Sequence, residues 1–296
     1  MSARSNESRL EAGADPARGA VAAAKQSFIE LRARDRARAV LDSGTMRELL
    51  GPFERLKSPW LGAQQIVPQA DDGVIVARGR IAGGPAVVLA IEGAFQGGSL
   101  GEVSGAKIAG ALELAIEDHR CGIPVRPVLL LETGGVRLQE ANLGLAAIAE
   151  IHSAIVELRQ FVPVVGVIAG MVGCFGGMAI AAALCSCLIM TRQARLGLNG
   201  PEVIEQEAGV TELVAADRRA VWSLIGGEQR VATGLADVLS VDDATAIAAH
   251  VRAAFEASPA LPRSQQVETF VARIAALDPA CMPDPLALRA AWGPRR

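Results

Sequence analysis

Between residues 73 and 191 the apolar positions fall into short continuous runs separated by glycine-rich stretches. GVIVARGRI and PAVVLAIEG, split by Ala82-Gly83-Gly84, predict a β-hairpin. VRPVLLLE (125–132), VPVVGVIAG (162–170) and SCLIMT (186–191) predict further strands. They are apolar on both faces, as strands are when helices cover both sides of a sheet. Helical spacing occupies the gaps. Val103, Ile108, Leu112, Leu114 and Ile116 mark one helix over 102–118, and 138–158 and 178–185 predict two more. Strand, glycine loop, helix, repeated, is the rhythm of an α/β domain.

Outside this stretch the pattern is looser. Phe28, Leu31 and Val40 among alternating charges predict a helix over 27–41, stopped by Asp42-Ser43-Gly44. A second short helix is expected at 46–55, then a loop bounded by Pro59 and Pro68. Pro201, after Asn199-Gly200, suits a first helical position. Residues 235–241 predict a last strand, and 243–257 a helix capped by Asp242 or Asp243. The expected organisation is a polar N-terminal tail over 1–25, one domain over 26–277 and an extended, proline-rich tail over 278–296.

Residues 161–191 carry no charge, a length sufficient for a membrane span. Pro163 and five glycines (166, 170, 173, 176 and 177) break the stretch, so a buried strand–loop–helix–strand is the expected form. The N-terminus has no apolar run of the kind a secretory signal needs, and a cytoplasmic location is expected. A chain of 296 residues that is 51% hydrophobic can build a large core, and with 3% aromatics and no Tyr that core must be aliphatic. Such apolarity also fits a flat Ala/Val/Leu face set against another subunit. A net charge of −3 gives no electrostatic case for nucleic acid. Five cysteines without a C-x-x-C pair, and three scattered histidines, predict neither a disulfide framework nor a metal site.

The candidate chemistry lies in three glycine loops, each ahead of a helix: 95–102 with Gly97, Gly98 and Ser99; 132–140 with Gly134 and Gly135; and 170–178 with Gly176 and Gly177. Glycine pairs let a ligand approach the main chain, and amides at a helix start favour negative charge. Each loop is also explicable as a tight turn or a close helix–sheet contact. Lys107 is either an anion contact for the first loop or a solvated surface charge. No Walker or Rossmann spacing is present. Ser99, Ser104, Ser153 and Cys174 have no legible base partner, and Cys174 reads as core. Backbone donors with few titratable groups suit stabilisation of a thioester enolate.

FQGGSLGEVSGAKI, ETGGVRLQEANLGL, GMVGCFGGMAIAAALCSCLIMT and RLGLNGPEVIE resemble the carboxyltransferase β-type subunits of acyl-CoA carboxylases, over roughly residues 27–255. SFIELRARDRARAVLDSG, PFERLKSPWL and QIVPQADDG are similar to the malonate decarboxylase β branch of that family. The bacterial acetyl-CoA carboxylase branch carries an N-terminal four-cysteine zinc ribbon that this sequence lacks. The resemblance implies a crotonase/ClpP-like spiral of ββα units and a homologous γ subunit. It implies an acyltransferase subunit of the same complex, and a malonyl thioester held on the phosphopantetheine-like, CoA-derived arm of an acyl carrier protein. No cofactor bound by this chain itself is implied. The amides of Gly134, Gly135, Gly176 and Gly177 would hold the thioester oxygen during biotin-independent decarboxylation. Gly97, Gly98, Ser99, Lys107, Arg137 and Phe175 would form the substrate-binding surroundings, with residues 165–175 as an apolar wall. Arg137 and Glu140 are expected to brace their loop, Glu140 being one candidate partner for Arg137. The proton that quenches the enolate is left between His152, Glu132 and water. A biotin-dependent carboxyltransferase subunit, or a non-catalytic partner that completes the γ subunit's site, are the alternatives.

Overall fold

A computed structural model describes residues 25–258 and 261–293, so the expected N-terminal tail lies outside the described residues except for Lys25. The chain runs through α1 (Ala33–Val40), β1 (Arg47–Leu49), α2 (Trp60–Ala63), β2 (Val74–Ile81) and β3 (Gly84–Ile91). It continues through α3 (Glu102–Arg120), β4 (Arg126–Leu130), α4 (Asn142–Leu158), β5 (Val165–Ile168), α5 (Gly177–Leu184) and β6 (Cys187–Thr191). The rest is α6 (Pro201–Ala208), α7 (Arg218–Ile225), α8 (Gly227–Ala232), β7 (Val238–Ser240), α9 (Ala244–Glu256), α10 (Val267–Ala275) and α11 (Pro285–Trp292). The strands form one sheet in sequence order, antiparallel from β1 to β3 and parallel from β3 to β7.

The expected hairpin turns on Ala82 and Gly83, both at positive φ, as a two-residue turn between right-twisted strands requires. The Asp42 carboxylate accepts both of their amides. Alternation then sorts the side chains. Val74, Val76, Val87, Leu89 and Leu129 pack with Ile108, Leu112, Ile151 and Ile155 of α3 and α4. Ile75, Ala77, Val88 and Val128 pack with Ala33, Ala37, Val40, Ile247 and Val251 of α1 and α9. Both faces are covered, which is why these strands read as unbroken apolar runs. The uncharged stretch 161–191 is β5, a glycine loop, α5 and β6, and no described helix is long and apolar enough to cross a membrane.

Three expectations need correction. Residues 46–55 form no α-helix: β1 pairs with β2, and a 3-10 turn follows at Pro52–Glu54. Gly51-Pro52 interrupts a helix there, and the edge of the hairpin satisfies β1's backbone instead. The helix expected from residue 27 begins only at Ala33, because the Asp242 carboxylate takes the amides of Phe28 and Ile29. The segment from 278 is not wholly extended. Pro285 occupies the first turn of α11, and Asp284 caps the amides of Leu286 and Ala287.

Candidate active site

Strands β3 to β6 each end in a loop at the same, carboxyl edge of the sheet, the edge at which parallel α/β sheets bind ligands. Single parallel bridges stitch these loops into a narrow second ladder: Leu100 to Val136, Thr133 to Cys174, and Cys174 to Leu196. The three candidate glycine loops therefore converge. Gly135 has φ +109°, and a Cβ there would lie 3.1 Å from the Phe175 carbonyl oxygen and 3.4 Å from the Gly176 Cα. Only glycine lets the second and third loops touch in this way.

Accounting for the amides at this junction changes which of them can serve a ligand. Gly134 donates to the Gly97 carbonyl at 2.9 Å, and Gly135 to Thr133 Oγ1 at 3.0 Å. Gly176 donates to the Leu198 carbonyl at 2.8 Å. These three N–H groups already have internal acceptors, two of them main-chain carbonyls and the third the Thr133 hydroxyl. The amides of Val136 and Gly177 donate to no acceptor among the described residues. Both residues are half-exposed, and a Cβ on Gly176 would stand 4.0 Å from the Val136 nitrogen. Gly177 opens α5, so the helix dipole adds to its N–H. Val136 went unnoticed because a valine after a glycine pair looks like packing. The available signal was its position: neighbouring amides along a bridged strand point in alternate directions, so one in two faces away from the partner.

Beneath the loops lie buried carboxylates, and several glycines exist to make room for them. Arg137 is 1% exposed. Its Nη1 reaches both oxygens of Asp72, at 3.0 and 2.9 Å, and Glu140 Oε1 at 2.9 Å. Nη2 donates to the Ser99 carbonyl at 3.0 Å, and Phe95 lies under the guanidinium at 5.3 Å. Arg137 thus braces the turn from beneath, with Asp72 as the partner the sequence did not reveal. A Cβ on Gly101 would come within 2.3 Å of the Glu140 carboxylate, and one on Gly170 within 1.6 Å of Glu132 Oε2. Glu132 accepts from Arg36 Nη1 at 2.5 Å and from the Val172 amide at 2.8 Å, so both its oxygens are engaged inside the protein. Gly98 sits where a Cβ would strike the Glu132 carbonyl at 1.9 Å, while Gly97 is exposed. Ser99 faces inward through the carbonyl that Arg137 grips.

Lys107 fits neither of its two readings. It is 5% exposed and donates to the carbonyls of Asp71 and Val74 at 2.6 and 2.5 Å. Burial pushes its pKa down, with Asp71 and Asp72 opposing the shift. It anchors the start of β2 and is no anion contact. His152 Nε2 lies 2.7 Å from the Gly177 carbonyl, which can only accept. The ring therefore holds the first turn of α5, and that nitrogen is not free to protonate an enolate. Phe175 is 6% exposed, with its ring against Gly173 and Gly197. Val165, Val167 and Ile168, expected in an apolar wall, are buried inside the sheet.

Among the described residues no group of three or more His, Cys, Asp or Glu could hold a metal ion, and all five cysteines are free. Burial pushes the Cys174 thiol well up, Cys185 to about 12 and Cys187 to about 11. Cys121 and Cys281 are exposed. A thiol reagent should label Cys121 and Cys281 of the native protein rapidly, the half-buried Cys187 slowly, and Cys174 and Cys185 only on unfolding. Rapid labelling of Cys174 would show that the ladder opens.

The chain belongs to the carboxyl transferase domain family, which it matches over residues 30–281. The fold is that of crotonase-like carboxyltransferases. The chain is 39% identical over 257 residues to the malonyl-S-ACP:biotin-protein carboxyltransferase of Malonomonas rubra, spanning 83% of this chain and 79% of that protein. It is 64% identical to a chain of a Pseudomonas malonate decarboxylase hetero-tetramer solved with malonate, at a TM-score of 0.88 and covering 90% of this chain and 97% of that one. A transcarboxylase 12S structure with methylmalonyl-coenzyme A and methylmalonic acid bound is 28% identical at a TM-score of 0.63, covering 75% of this chain and 40% of that one.

Proposed function

We propose that this chain is the decarboxylating β-type subunit of a malonate decarboxylase, converting a malonyl thioester on an acyl carrier protein to the acetyl thioester and CO2. The observation that carries the reading is the pair of free amides, Val136 and Gly177, on two touching turns. The 64% identity to the Pseudomonas malonate decarboxylase chain supports it. Cleavage of the bond between the α-carbon and the carboxylate sends its electron pair to the thioester oxygen as an enolate. Two N–H groups aimed at that oxygen bind it more tightly as its charge grows, which lowers the barrier. The α-carbon then takes one proton, and acetyl thioester and CO2 result. Neither Glu132 nor His152 Nε2 is placed to give that proton, which leaves water or a partner's group.

Leu138, Leu145, Val156 and Ile180 stand exposed on the turn and on α4 and α5 beside these amides. A homologous γ-type subunit laid over this face would bury them and exclude water from the enolate. An acyltransferase subunit of the same complex would load the carrier.

The curated relative of Malonomonas rubra, named as a transferase to a biotin protein, favours a second reading in which the carboxyl group is passed to biotin. The test is to supply the assembled complex with malonyl-S-carrier protein and measure CO2 and acetyl-S-carrier with and without avidin. Equal release of both under avidin is the expected result; arrest by avidin favours the biotin route. If variants of the partner's glycine turns abolish turnover while Val136 and Gly177 variants of this chain leave it intact, this chain is a scaffold.

A further inference from the structure

With Lys107 buried, the anion contact expected beside the glycine loops must come from elsewhere, and the carboxyl edge of the sheet offers one other cluster. The loop after β5 and the segment after β6 meet the start of α7 around a cavity of about 280 Å3 lined by Met171, Gln193, Arg218, Arg219 and Trp222. Arg195 forms part of the same assembly. Its guanidinium is held between two aromatic rings, 5.5 Å from Phe175 and 4.9 Å from Trp222. Nη2 donates to the Met171 carbonyl at 2.6 Å, while Nη1 has no acceptor among the described residues. Arg195 thus stacks on the loop that presents Gly177, two residues after Phe175, and the Phe175 carbonyl approaches Gly135, the residue before Val136.

The charges here are unbalanced. Neither Arg195, Arg218 nor Arg219 forms an ion pair among the described residues, while nearby Arg192 is paired with Glu228 at 2.7 Å. Burial, and after it the like charge of Arg218, push the Arg195 pKa down against the opposing pull of Glu202 and Glu132. Arg218 and Arg219 also occupy the first positions of α7, where the helix dipole disfavours cations. The Asp217 cap offsets part of the positive charge at this helix start, Arg195 adds to it from beside Trp222, and a bound anion offsets the surplus. Arginine's planar fork matches phosphate oxygens. The apolar surface of Met171 and Trp222, beside the cations, suits the geminal methyl groups that adjoin the phosphate in phosphopantetheine.

We propose that Arg195, Arg218 and Arg219 form a phosphate subsite that grips the phosphopantetheine arm carrying the malonyl thioester. The proposal rests on the decarboxylase reading of the neighbouring turns. It places the phosphate beside the loop that presents Gly177, so that binding energy remote from the reacting carbon orients the thioester.

The test uses the assembled complex and two probes, 4′-phosphopantetheine and pantetheine, in calorimetric titrations. The wild-type complex should bind the phosphorylated arm about tenfold more tightly or better, as expected for a hydrogen bond to a charged group. R218Q/R219Q should bring the two affinities close together. The variant keeps the Asp217 cap on the Ala220 amide and removes cations from a helix N-terminus, so α7 should survive. The same ratio should appear in kcat/KM for malonyl-phosphopantetheine over malonyl-pantetheine. A wild-type complex that does not distinguish the probes, or a variant that still does, overturns the subsite. So does a variant impaired only with substrate on intact carrier protein, which would make these arginines a protein-docking patch. If the calorimetric preference holds but no malonyl thioester loses CO2, the subsite stands and the decarboxylase reading falls.

Discussion

Replacing Val136 with proline is expected to lower kcat for malonyl-S-carrier protein by about 100- to 1,000-fold, the cost of one oxyanion donor. The substitution is selective because the Val136 amide bonds nothing in the fold. The bridge around it is made by the Leu100 amide to the Gly135 carbonyl and the Arg137 amide to the Leu100 carbonyl, both at 2.8 Å, and both survive. Gly135 precedes the new proline, and glycine tolerates the restriction this imposes. KM should move far less than kcat, since the lost contact strengthens only as charge develops. V136A keeps the N–H and should keep kcat. The check is steady-state kinetics of both variants beside their melting temperatures. A kcat for V136P close to wild type, with an unchanged melting temperature, removes Val136 from the mechanism.

The sheet was legible in the sequence because its strands are buried on both faces. Runs such as VVLAI and VLLL announce that burial directly, and Gly83 marked the hairpin. The helices that escaped, α2, α7, α8, α10 and α11, lie where tertiary contacts decide. α10 buries none of its residues, so no core-facing stripe announces it. The gathering of the glycine loops at one edge of the sheet was legible too, since each stands between a strand and a helix. Donor identity was not. Glycine pairs signal tight approach, and here the approach serves backbone ladders and buried carboxylates as much as a ligand. Gly170 makes room for Glu132, and Gly101 for Glu140. Asp72 could not be foreseen as the partner of Arg137 because 65 residues separate them. Lys107 misled for a related reason: it lies one turn into a helix whose surface it never reaches, since the carbonyls of Asp71 and Val74 draw it inward.

Arg137→Met should destabilise the protein by about 3–5 kcal/mol, the cost of stranding a buried charge whose partner is removed. Asp72 and Glu140 side chains are 0% exposed beside a guanidinium that is 1% exposed. Without the cation, Asp72 keeps only the amides of Ser58 and Ser104, at 3.2 and 3.0 Å. Glu140 keeps the Glu102 amide at 2.6 Å. The dipole of α3, whose first turn supplies the Ser104 and Glu102 amides, offsets part of the loss. Two neighbouring carboxylates sealed from water still repel each other, and their common position is the floor of the turn that presents Val136. Denaturant melts of the full chain provide the check, with the neutral triple variant D72N/R137M/E140Q as the second arm. Removing all three charges avoids an unpaired ion, so the triple variant should recover part of the stability that the single variant loses, less the acceptor that Asn cannot offer to one of the Ser58 and Ser104 amides. It should not recover turnover, because the Arg137 bond to the Ser99 carbonyl that ties the first loop to the second is gone. A single-variant loss under about 1 kcal/mol, the worth of an exposed pair, would mean that the bridges alone hold the turn and that the buried cation is dispensable to its shape.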